Sequence, residues 1–160
     1  MFNPSLVNSI AEQLLSRRWV LGTAESCTGG MVAAALTDVS GSSEWFEEGL
    51  VTYANHSKSR LLNVSPALLE QEGAVSEATV SAMVTGVLSR GADVAVATSG
   101  IAGPGGGSVD KPVGTVWFAW RQGDHLITDK QVFPGDRSQV RKQATEHALA
   151  GVLKLLESTV

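Results

Sequence analysis

The order of apolar segments along this 160-residue chain predicts an α/β fold, in which a mixed, mostly parallel sheet lies between two layers of helices. The run from Asp93 to Thr98 is continuous and rich in β-branched residues, which is typical of a central parallel strand buried on both faces. Helical patterns alternate with the early strands and so indicate crossovers, whereas two late strands around Gln122 to Asp124 indicate a hairpin. We therefore expect a three-layer α/β/α sandwich that forms one domain over residues 1–160.

The first half of the chain alternates helices and strands. In chain order, the predicted elements are a helix from Pro4, a strand over residues 19–24, a helix over 31–37, a strand over 49–54 and a helix over 55–62. The first helix has Leu6, Ile10, Leu14 and Leu15 on one face, and we expect that face to be buried. Asn55 is the expected cap of the third helix.

The second half contains the central strand and the hairpin. In chain order, we expect a short helix with Ser65 as cap and Pro66 as first residue, a helix from Ser76-Glu77 to Arg90, a strand over 93–98, a glycine-rich loop over 99–112, strands over 114–120 and 125–133, and a helix over 137–156. Gly91 stops the second of these helices.

Charge and composition exclude several classes of protein. The net charge is −4 and the calculated pI is about 5.3, with basic residues concentrated only at Arg17-Arg18 and at Arg137, Arg141 and Lys142. Proteins that grip nucleic acid usually carry a basic stripe, so we expect no nucleic-acid partner. A single cysteine, Cys27, excludes an intramolecular disulfide and a zinc site built on cysteines.

The amino-terminal segment predicts an amphipathic helix, since it contains Glu12 and has neither a long apolar run nor a small-residue cleavage site. No stretch approaches the roughly 20 apolar residues that a membrane span requires. We therefore expect a cytoplasmic protein that does not bind membranes.

Polar and glycine residues follow three of the predicted strands, at Glu25 to Gly30, Tyr53 to Lys58 and Ser99 to Lys111. Ligands of open α/β sheets bind outside the carboxyl ends of the strands. Three such clusters at one edge of one sheet predict a functional site there.

The first cluster joins a strand to a helix through a turn that contains Ser26. Free backbone N–H groups at a helix start favour an anion or a developing oxyanion, and Ser26 would lie beside them. The turn lacks the Gly-Lys-Ser/Thr of a phosphate loop and the two flanking glycines of a lipase elbow. A tight turn with a plain helix cap is the alternative.

A catalytic serine needs a base, and the histidines of the chain are His56, His125 and His147. His125 lies on the predicted hairpin, His147 lies well inside the last helix, and His56 has no evident carboxylate to orient it, so the sequence gives a Ser-His-Asp triad little support. We consider all three more typical of surface or capping positions.

Lys58 is the other candidate base, because it lies one turn into the helix that follows the second strand. A lysine amine accepts a proton only if burial or nearby positive charge lowers its pKa, which would give an activity profile whose alkaline limb reflects that pKa. Tyr53 ends the same strand and could hold or relay the proton. Two alternatives stay open: Lys58 as a solvated surface residue, and Cys27 as either a rival nucleophile or a small core residue.

The third cluster, residues 99–107, has glycine spacings similar to a dinucleotide-binding fingerprint. It leads to Pro112 and a strand instead of a helix, so that interpretation is weak. A loop whose backbone approaches a ligand closely fits better, and a plain mobile loop is the alternative.

Together these segments resemble the competence/damage-inducible CinA C-terminal domain family, whose stand-alone members include nicotinamide-nucleotide amidases. The matching stretches are TAESCTGG (23–30), GSSEWFEEGLVTYAN (41–55) with Lys58, GAVSE (73–77), SGIAGPGGG (99–107), KPVGTVWFAW (111–120) and FPGDR (133–137). They cover essentially the whole chain in family order.

The resemblance implies a three-layer fold, a homodimer, no metal and no cofactor. It also implies hydrolysis of nicotinamide mononucleotide, a small-molecule substrate, to nicotinate mononucleotide and ammonia by a Ser-Lys amidase with a helping tyrosine. The implied catalytic residues are Ser26, Lys58 and Tyr53. The implied substrate-binding residues are Thr28, Gly29 and Gly30 in the turn, Ser42 and Asn55 in the second matched stretch, and Gly100, Gly103 and Gly105 in the loop.

A mononucleotide substrate would also need a group for its phosphate. Arg137 and Arg141 lie one turn apart at the start of the last helix, where a positive charge gains nothing from the helix dipole. Arginine binds phosphate through two parallel hydrogen bonds, so we expect one of the two to do so. A solvated helix face is the alternative.

One departure from the family pattern lies in this region. Close relatives commonly have Tyr-Ser-Asn where this chain has Tyr53-Ala54-Asn55, and His56-Ser57 also differ from the usual residues. A nucleotide-binding protein that has lost catalysis is therefore the alternative function.

Overall fold

The computed structural model describes residues 2–159, which form six α-helices, five β-strands and a short 3-10 helix at Ser42–Glu44. The helices are α1 (Pro4–Arg17), α2 (Met31–Thr37), α3 (Asn55–Leu62), α4 (Pro66–Glu72), α5 (Glu77–Ser89) and α6 (Arg137–Ser158). The strands are β1 (Leu21–Glu25), β2 (Phe46–Val51), β3 (Val94–Gly100), β4 (Thr115–Gln122) and β5 (His125–Val132).

The strands form one sheet in the order β2-β1-β3-β4-β5. β1 pairs in parallel with β2 and β3, whereas β3–β4 and β4–β5 are antiparallel. The chain reverses direction between β3 and β4 and again between β4 and β5. β5 therefore runs in the same direction as β1, β2 and β3, and only β4 opposes them. The predicted mixed sheet is confirmed.

Two separate apolar cores cover the two faces of the sheet. Helices α1, α2 and α6 pack on one face, and α3, α4 and α5 lie on the other. Along β3, Val94 and Val96 belong to the first core, while Ala95 and Ala97 belong to the second, as strand alternation requires. This arrangement confirms the predicted three-layer α/β/α sandwich.

Helix α1 buries a face that differs in part from the expected one. Its buried residues are Val7, Ile10, Ala11 and Leu14, whereas Leu15 is 45% exposed. The prediction that Leu15 shares the buried face is wrong, because successive helical residues point about 100° apart and Leu14 already faces the core.

Strand β2 begins and ends three residues earlier than predicted. Its register is set by pairing with β1, in which Phe46 lies opposite Leu21 and Val51 opposite Glu25. The chain then leaves the sheet, so residues 52–54 are free to turn back into α3. The prediction of a strand over residues 49–54 is therefore right only for its first half.

Most helix starts follow the sequence signals. Ser65 Oγ accepts a hydrogen bond from Leu68 N–H and Ser76 Oγ accepts one from Thr79 N–H, which confirms the predicted caps. Asn55 is the first residue of α3 and Ala54 is its cap, so the prediction of Asn55 as cap is wrong. Within residues 2–159, no helix has the length and apolar character needed to cross a membrane.

Candidate active site

The three polar clusters predicted at the strand ends meet in one cleft of about 310 Å³. Ser26 and Cys27 come from the end of β1, Tyr53 and Lys58 from the segment after β2, and residues 99–103, 105 and 106 from the end of β3 and its loop. Ala74 and Val75, before α5, add an apolar wall. A site at the carboxyl edge of the sheet is where α/β proteins place their ligands.

Ser26 and Lys58 are in contact at the base of this cleft. Ser26 is 9% exposed and follows the last residue of β1, and its N–H donates to the carbonyl oxygen of Thr98. Lys58 is fully buried on α3, and its Nζ lies 3.2 Å from Ser26 Oγ. The same Nζ donates to the carbonyl oxygens of Thr52 at 2.6 Å and Tyr53 at 3.4 Å.

No carboxylate in the described part of the chain lies within ion-pair distance of Lys58 Nζ. Burial lowers the pKa of Lys58, because a charged ammonium loses its hydration inside the protein. A thiolate at Cys27 would oppose this and raise the pKa of Lys58. Burial therefore shifts Lys58 toward the neutral amine, which is the form that accepts a proton.

Cys27 is a core residue rather than an activated thiol. It is 6% exposed and packs in the core between the sheet and the layer of α1, α2 and α6. Burial, with a smaller contribution from the Glu25 carboxylate, raises the pKa of Cys27 to about 11. The thiol is protonated at neutral pH, so the geometry favours Ser26 over Cys27 as nucleophile.

The turn after β1 has few free backbone donors. The N–H groups of Ser26 and Gly29 donate to Thr98 and Ser26 carbonyls, and the N–H groups of Val32 and Ala33 donate to the Glu25 carboxylate. Within residues 2–159, the N–H groups of Cys27, Thr28 and Gly30 donate to no other residue. These three N–H groups remain for an oxyanion, whereas the N–H groups of Val32 and Ala33 at the start of α2 already bind the Glu25 carboxylate.

The predicted turn residues Thr28, Gly29 and Gly30 shape the turn and do not line the cleft. Thr28 is fully buried, and its Oγ1 donates to Glu25 Oε1 at 2.6 Å and lies 2.8 Å from Thr98 Oγ1. Gly29 and Gly30 have φ of +59° and +103°, which favours glycine. The two glycines thus serve the conformation of the turn that carries Ser26.

Tyr53 lies at the mouth of the cleft with its side chain 59% exposed. Its hydroxyl accepts a hydrogen bond from Arg137 Nη2 at 3.1 Å, and Arg137 Nη1 donates to the carbonyl oxygen of Gly103 at 2.9 Å. Thus the Tyr53 hydroxyl contacts an arginine, while its carbonyl oxygen contacts Lys58.

The two arginines of α6 have different surroundings. Arg137 lines the cleft, whereas Arg141 lies behind the turn and donates from Nε to the Cys27 carbonyl and from Nη2 to the Thr28 carbonyl. Of the two predicted phosphate ligands, only Arg137 reaches the cleft in this structure.

The three predicted loop glycines line the cleft for different reasons. A Cβ at Gly100 would lie 2.6 Å from Val116 Cγ2, and one at Gly103, where φ is +86°, would collide with Val113 Cγ1. A Cβ at Gly105 would meet no protein atom within 4 Å. Packing therefore requires glycine at the first two positions and not at Gly105.

Two predicted substrate-binding residues lie elsewhere. Ser42 begins the 3-10 helix before the amino end of β2, at the edge of the sheet opposite Ser26. Asn55 is exposed on α3 and lies beside a surface depression shared with His56. The structure does not bring either residue to the cleft.

None of the three histidines lines the cleft, so no Ser-His-Asp triad forms around Ser26. His147 bonds Asp129 at 2.8 Å beside the rings of Phe118 and Phe133, far along α6. Within residues 2–159, no three His, Cys, Asp or Glu side chains are arranged to hold a metal ion.

Sequence reasoning assigned no individual role to three residues of this region, although Glu25 and Ser99 lie in the predicted clusters. The Thr52 carbonyl holds Lys58, Ser99 lines the cleft at 1% exposure, and Glu25 orders the turn after Ser26. The available signal was a charged or hydroxyl residue inside an otherwise apolar strand, since such residues are seldom buried without a partner.

Residues 3–156 match the CinA C-terminal domain model. The chain belongs to the CinA C-terminal domain family. It is 54% identical over 147 residues to the nicotinamide-nucleotide amidohydrolase PncC of Enterobacter agglomerans, a match that covers 91% of this chain and 90% of that protein. It is 51% identical over 151 residues to a CinA-like protein of Akkermansia muciniphila, of which the match covers 36%.

A solved structure supports the same relationship. The crystal structure of the competence damage-inducible protein A (ComA) of Klebsiella pneumoniae subsp. pneumoniae MGH 78578 superposes with a TM-score of 0.95 at 40% identity and full coverage of both chains. The resemblance to the CinA C-terminal domain family and its fold are therefore confirmed.

The buried amine of this CinA domain predicts a pH dependence of stability. Because burial lowers the pKa of Lys58, the unfolded chain binds more protons than the folded one between that lowered pKa and the ordinary lysine value of about 10.4. The free energy of unfolding should therefore rise with pH across this interval. We expect Lys58→Met to remove that rise in urea unfolding measured from about pH 7 to about pH 10.

The exposed Lys154→Met variant serves as the control and should keep the rise. Parallel stability curves for wild type and Lys58→Met would contradict a lowered pKa of Lys58.

The glycine loop predicts a contrast between two similar substitutions. Gly105→Ala should change the free energy of unfolding by less than about 0.5 kcal/mol, since its methyl group meets open space. Gly103→Ala should cost about 1–3 kcal/mol, because of its positive φ and its collision with Val113. Urea unfolding measures both, and equal losses would show that the loop is not packed as described.

Proposed function

We propose that this chain hydrolyses nicotinamide mononucleotide to nicotinate mononucleotide and ammonia, a step of pyridine nucleotide salvage. The observation that carries the proposal is the 3.2 Å contact between Ser26 Oγ and a buried Lys58 without a carboxylate partner, inside a cleft. The amidohydrolase name of a relative 54% identical over 90% of its length supports this substrate. As the family resemblance implies, we propose a cytoplasmic homodimer without metal or cofactor.

The first chemical step uses the neutral amine of Lys58. A neutral amine has two hydrogens and one lone pair, and the carbonyl oxygens of Thr52 and Tyr53 accept the two hydrogens. The lone pair then faces the hydroxyl of Ser26 and takes its proton as Ser26 Oγ attacks the carboxamide carbon. The N–H groups of Cys27, Thr28 and Gly30 are the donors available to the developing oxyanion.

The second half of the reaction returns the proton. Lys58 passes the proton to the amide nitrogen, the C–N bond breaks, ammonia leaves, and an ester on Ser26 remains. Lys58 then takes a proton from water, the resulting hydroxide attacks the ester, and Ser26 regains its proton as the carboxylic acid departs. The tyrosine that the family resemblance assigns to catalysis, Tyr53, supports the base through its carbonyl oxygen.

The mouth of the cleft supports a phosphate site on Arg137. Its guanidinium has five N–H donors, of which one contacts Gly103 and one contacts Tyr53, so others remain for a ligand. The cleft volume of about 310 Å³ lies at the lower end of the range for small-molecule sites. We propose that the phosphate binds Arg137 and the Tyr53 hydroxyl while the carboxamide reaches Ser26.

A nucleotide-binding protein without catalysis is the second candidate. It rests on the departures at Ala54, His56 and Ser57, and a relative 51% identical carries only the name CinA-like protein. These three residues do not line the cleft, and the contact between Ser26 and Lys58 is intact. The geometry therefore favours the active enzyme.

The proposed mechanism predicts which variants lose activity. Release of ammonia from nicotinamide mononucleotide should fall by about 10²–10⁴-fold in Lys58→Arg, whose guanidinium stays protonated and cannot act as the base, and at least as far in Ser26→Ala. Cys27→Ala should retain activity, because its thiol is buried and protonated. In the wild type, kcat/KM should rise with pH through the lowered pKa of the buried Lys58.

Full activity of Ser26→Ala would refute the serine mechanism, and loss confined to Cys27→Ala would move the role to the thiol. Lys58→Arg with more than about a tenth of the activity would show that Lys58 is not the base. Nucleotide binding by calorimetry with no ammonia at any pH would establish the second candidate.

The phosphate assignment predicts a difference between the two arginines. Arg137→Ala should raise KM for nicotinamide mononucleotide about tenfold or more and leave hydrolysis of the dephosphorylated riboside nearly unchanged. Arg141→Ala should lower the rate of hydrolysis of both substrates equally, because the Arg141 side chain binds the carbonyl oxygens of Cys27 and Thr28 in the turn. Equal losses on both substrates in Arg137→Ala would refute the phosphate site.

A further inference from the structure

A carboxylate is buried beside the nucleophile without an ionic partner. Glu25 is 1% exposed, and no lysine, arginine or histidine of residues 2–159 lies within ion-pair distance of it. Its Oε1 accepts hydrogen bonds from Thr28 Oγ1 at 2.6 Å and Val32 N–H at 2.9 Å, and its Oε2 accepts one from Ala33 N–H at 3.1 Å. Burying a charge is costly, so these three donors must compensate for the lost water.

The same carboxylate supplies the cap that α2 lacks. The cap residue, Gly30, has no side chain, and α2 has seven residues, too few for a helix that is stable by itself. Glu25 accepts from the second and third residues of the helix, where a negative charge also interacts favourably with the helix dipole. The five residues between Glu25 and α2, which include Ser26, are thereby closed into a fixed loop.

Glu25 does this without entering the cleft. Neighbouring residues of a strand point to opposite faces, so the Glu25 side chain faces α2 while Ser26 faces Lys58 on α3. Glu25 is absent from the cleft lining and therefore contacts no reacting atom.

The main chain of Glu25 reaches the other half of the pair. Its carbonyl oxygen accepts a hydrogen bond from Thr52 N–H at 2.9 Å, and the Thr52 carbonyl oxygen accepts one from Lys58 Nζ at 2.6 Å. One residue thus orders the turn that carries Ser26 through its side chain, and its backbone binds Thr52, whose carbonyl oxygen holds Lys58.

We infer that Glu25 is a positioning residue whose buried carboxylate fixes the turn carrying Ser26 at the distance from Lys58 that proton transfer requires. The inference rests on the proposed function, since it gives Ser26 the role of nucleophile. Misplacing a reacting group by about 1 Å can cost about 10²-fold in rate. Loss of the carboxylate should therefore lower the reactivity of Ser26 itself.

The test compares Glu25→Gln with Ala35→Gly. Glu25→Gln keeps the size of the side chain but turns an NH₂ group toward the donors of the turn and α2. Ala35→Gly weakens the same helix without touching the carboxylate, and so controls for loss of helix stability. Phenylmethylsulfonyl fluoride is the probe: Ser26 Oγ bonds to sulfur, the S–F bond breaks, fluoride leaves, and Lys58 takes the proton.

The labelling rate at Ser26, measured by mass spectrometry and corrected for the folded fraction, should fall about tenfold or more in Glu25→Gln. In Glu25→Gln, the kcat on nicotinamide mononucleotide should fall by a similar factor, while KM changes by less than about threefold. Ala35→Gly should keep the labelling rate and kcat within about twofold of the wild type. If Glu25→Gln does not fold, Thr28→Val removes one donor to the carboxylate and should slow labelling several-fold.

Wild-type protein that is not labelled at Ser26 would overturn the proposed function. A labelled wild type with an unchanged rate in Glu25→Gln, or in Thr28→Val where that variant is needed, would overturn the inference alone. An equal fall in Ala35→Gly would also overturn it, because helix stability would then explain the effect.

Discussion

The Lys58 amine lies in the protein interior, where its strongest contact is the 2.6 Å hydrogen bond to the Thr52 carbonyl oxygen. Burial lowers the pKa of Lys58, and the partners of its Nζ are carbonyl and hydroxyl oxygens rather than a carboxylate. This contact requires Thr52 to lie outside the sheet, and β2 accordingly ends at Val51. It also requires α3 to begin within three residues, so that its first turn points Lys58 back toward Ser26.

Two charged residues that do not line the cleft, Glu25 and Arg141, stabilise the turn that carries Ser26. Glu25 holds the hydroxyl and N–H groups at one side of the nucleophile turn, and Arg141 holds the carbonyl oxygens of Cys27 and Thr28 at the other. Inside the cleft, the pair that we propose for catalysis is formally neutral, and Arg137 is the cation at its mouth. This separation lets the protein anchor the turn with ionic groups while, within residues 2–159, no carboxylate pairs with Lys58.

Much of this arrangement follows from sequence patterns. Alternation of helices and strands predicts the three layers, and the carboxyl ends of three strands predict the cleft, because both are local consequences of periodicity and chain direction. The ends of β2 depend on its partner β1, and the partners of Glu25 and Arg141 come from distant segments. The wrong placement of Ser42 has a similar cause. The family-matched stretch 41–55 includes the whole of β2, so Ser42 lies at the amino end of that strand and Tyr53 follows its carboxyl end.

The protonation state of Lys58 decides between a base and a buried structural cation. It is measured directly by following the ε-carbon shift of Lys58 with pH by NMR, with the Lys58→Met spectrum as the assignment. The account predicts that burial places the pKa of Lys58 below the ordinary lysine value of about 10.4. A Lys58 that titrates at that value, or at higher pH, would contradict it.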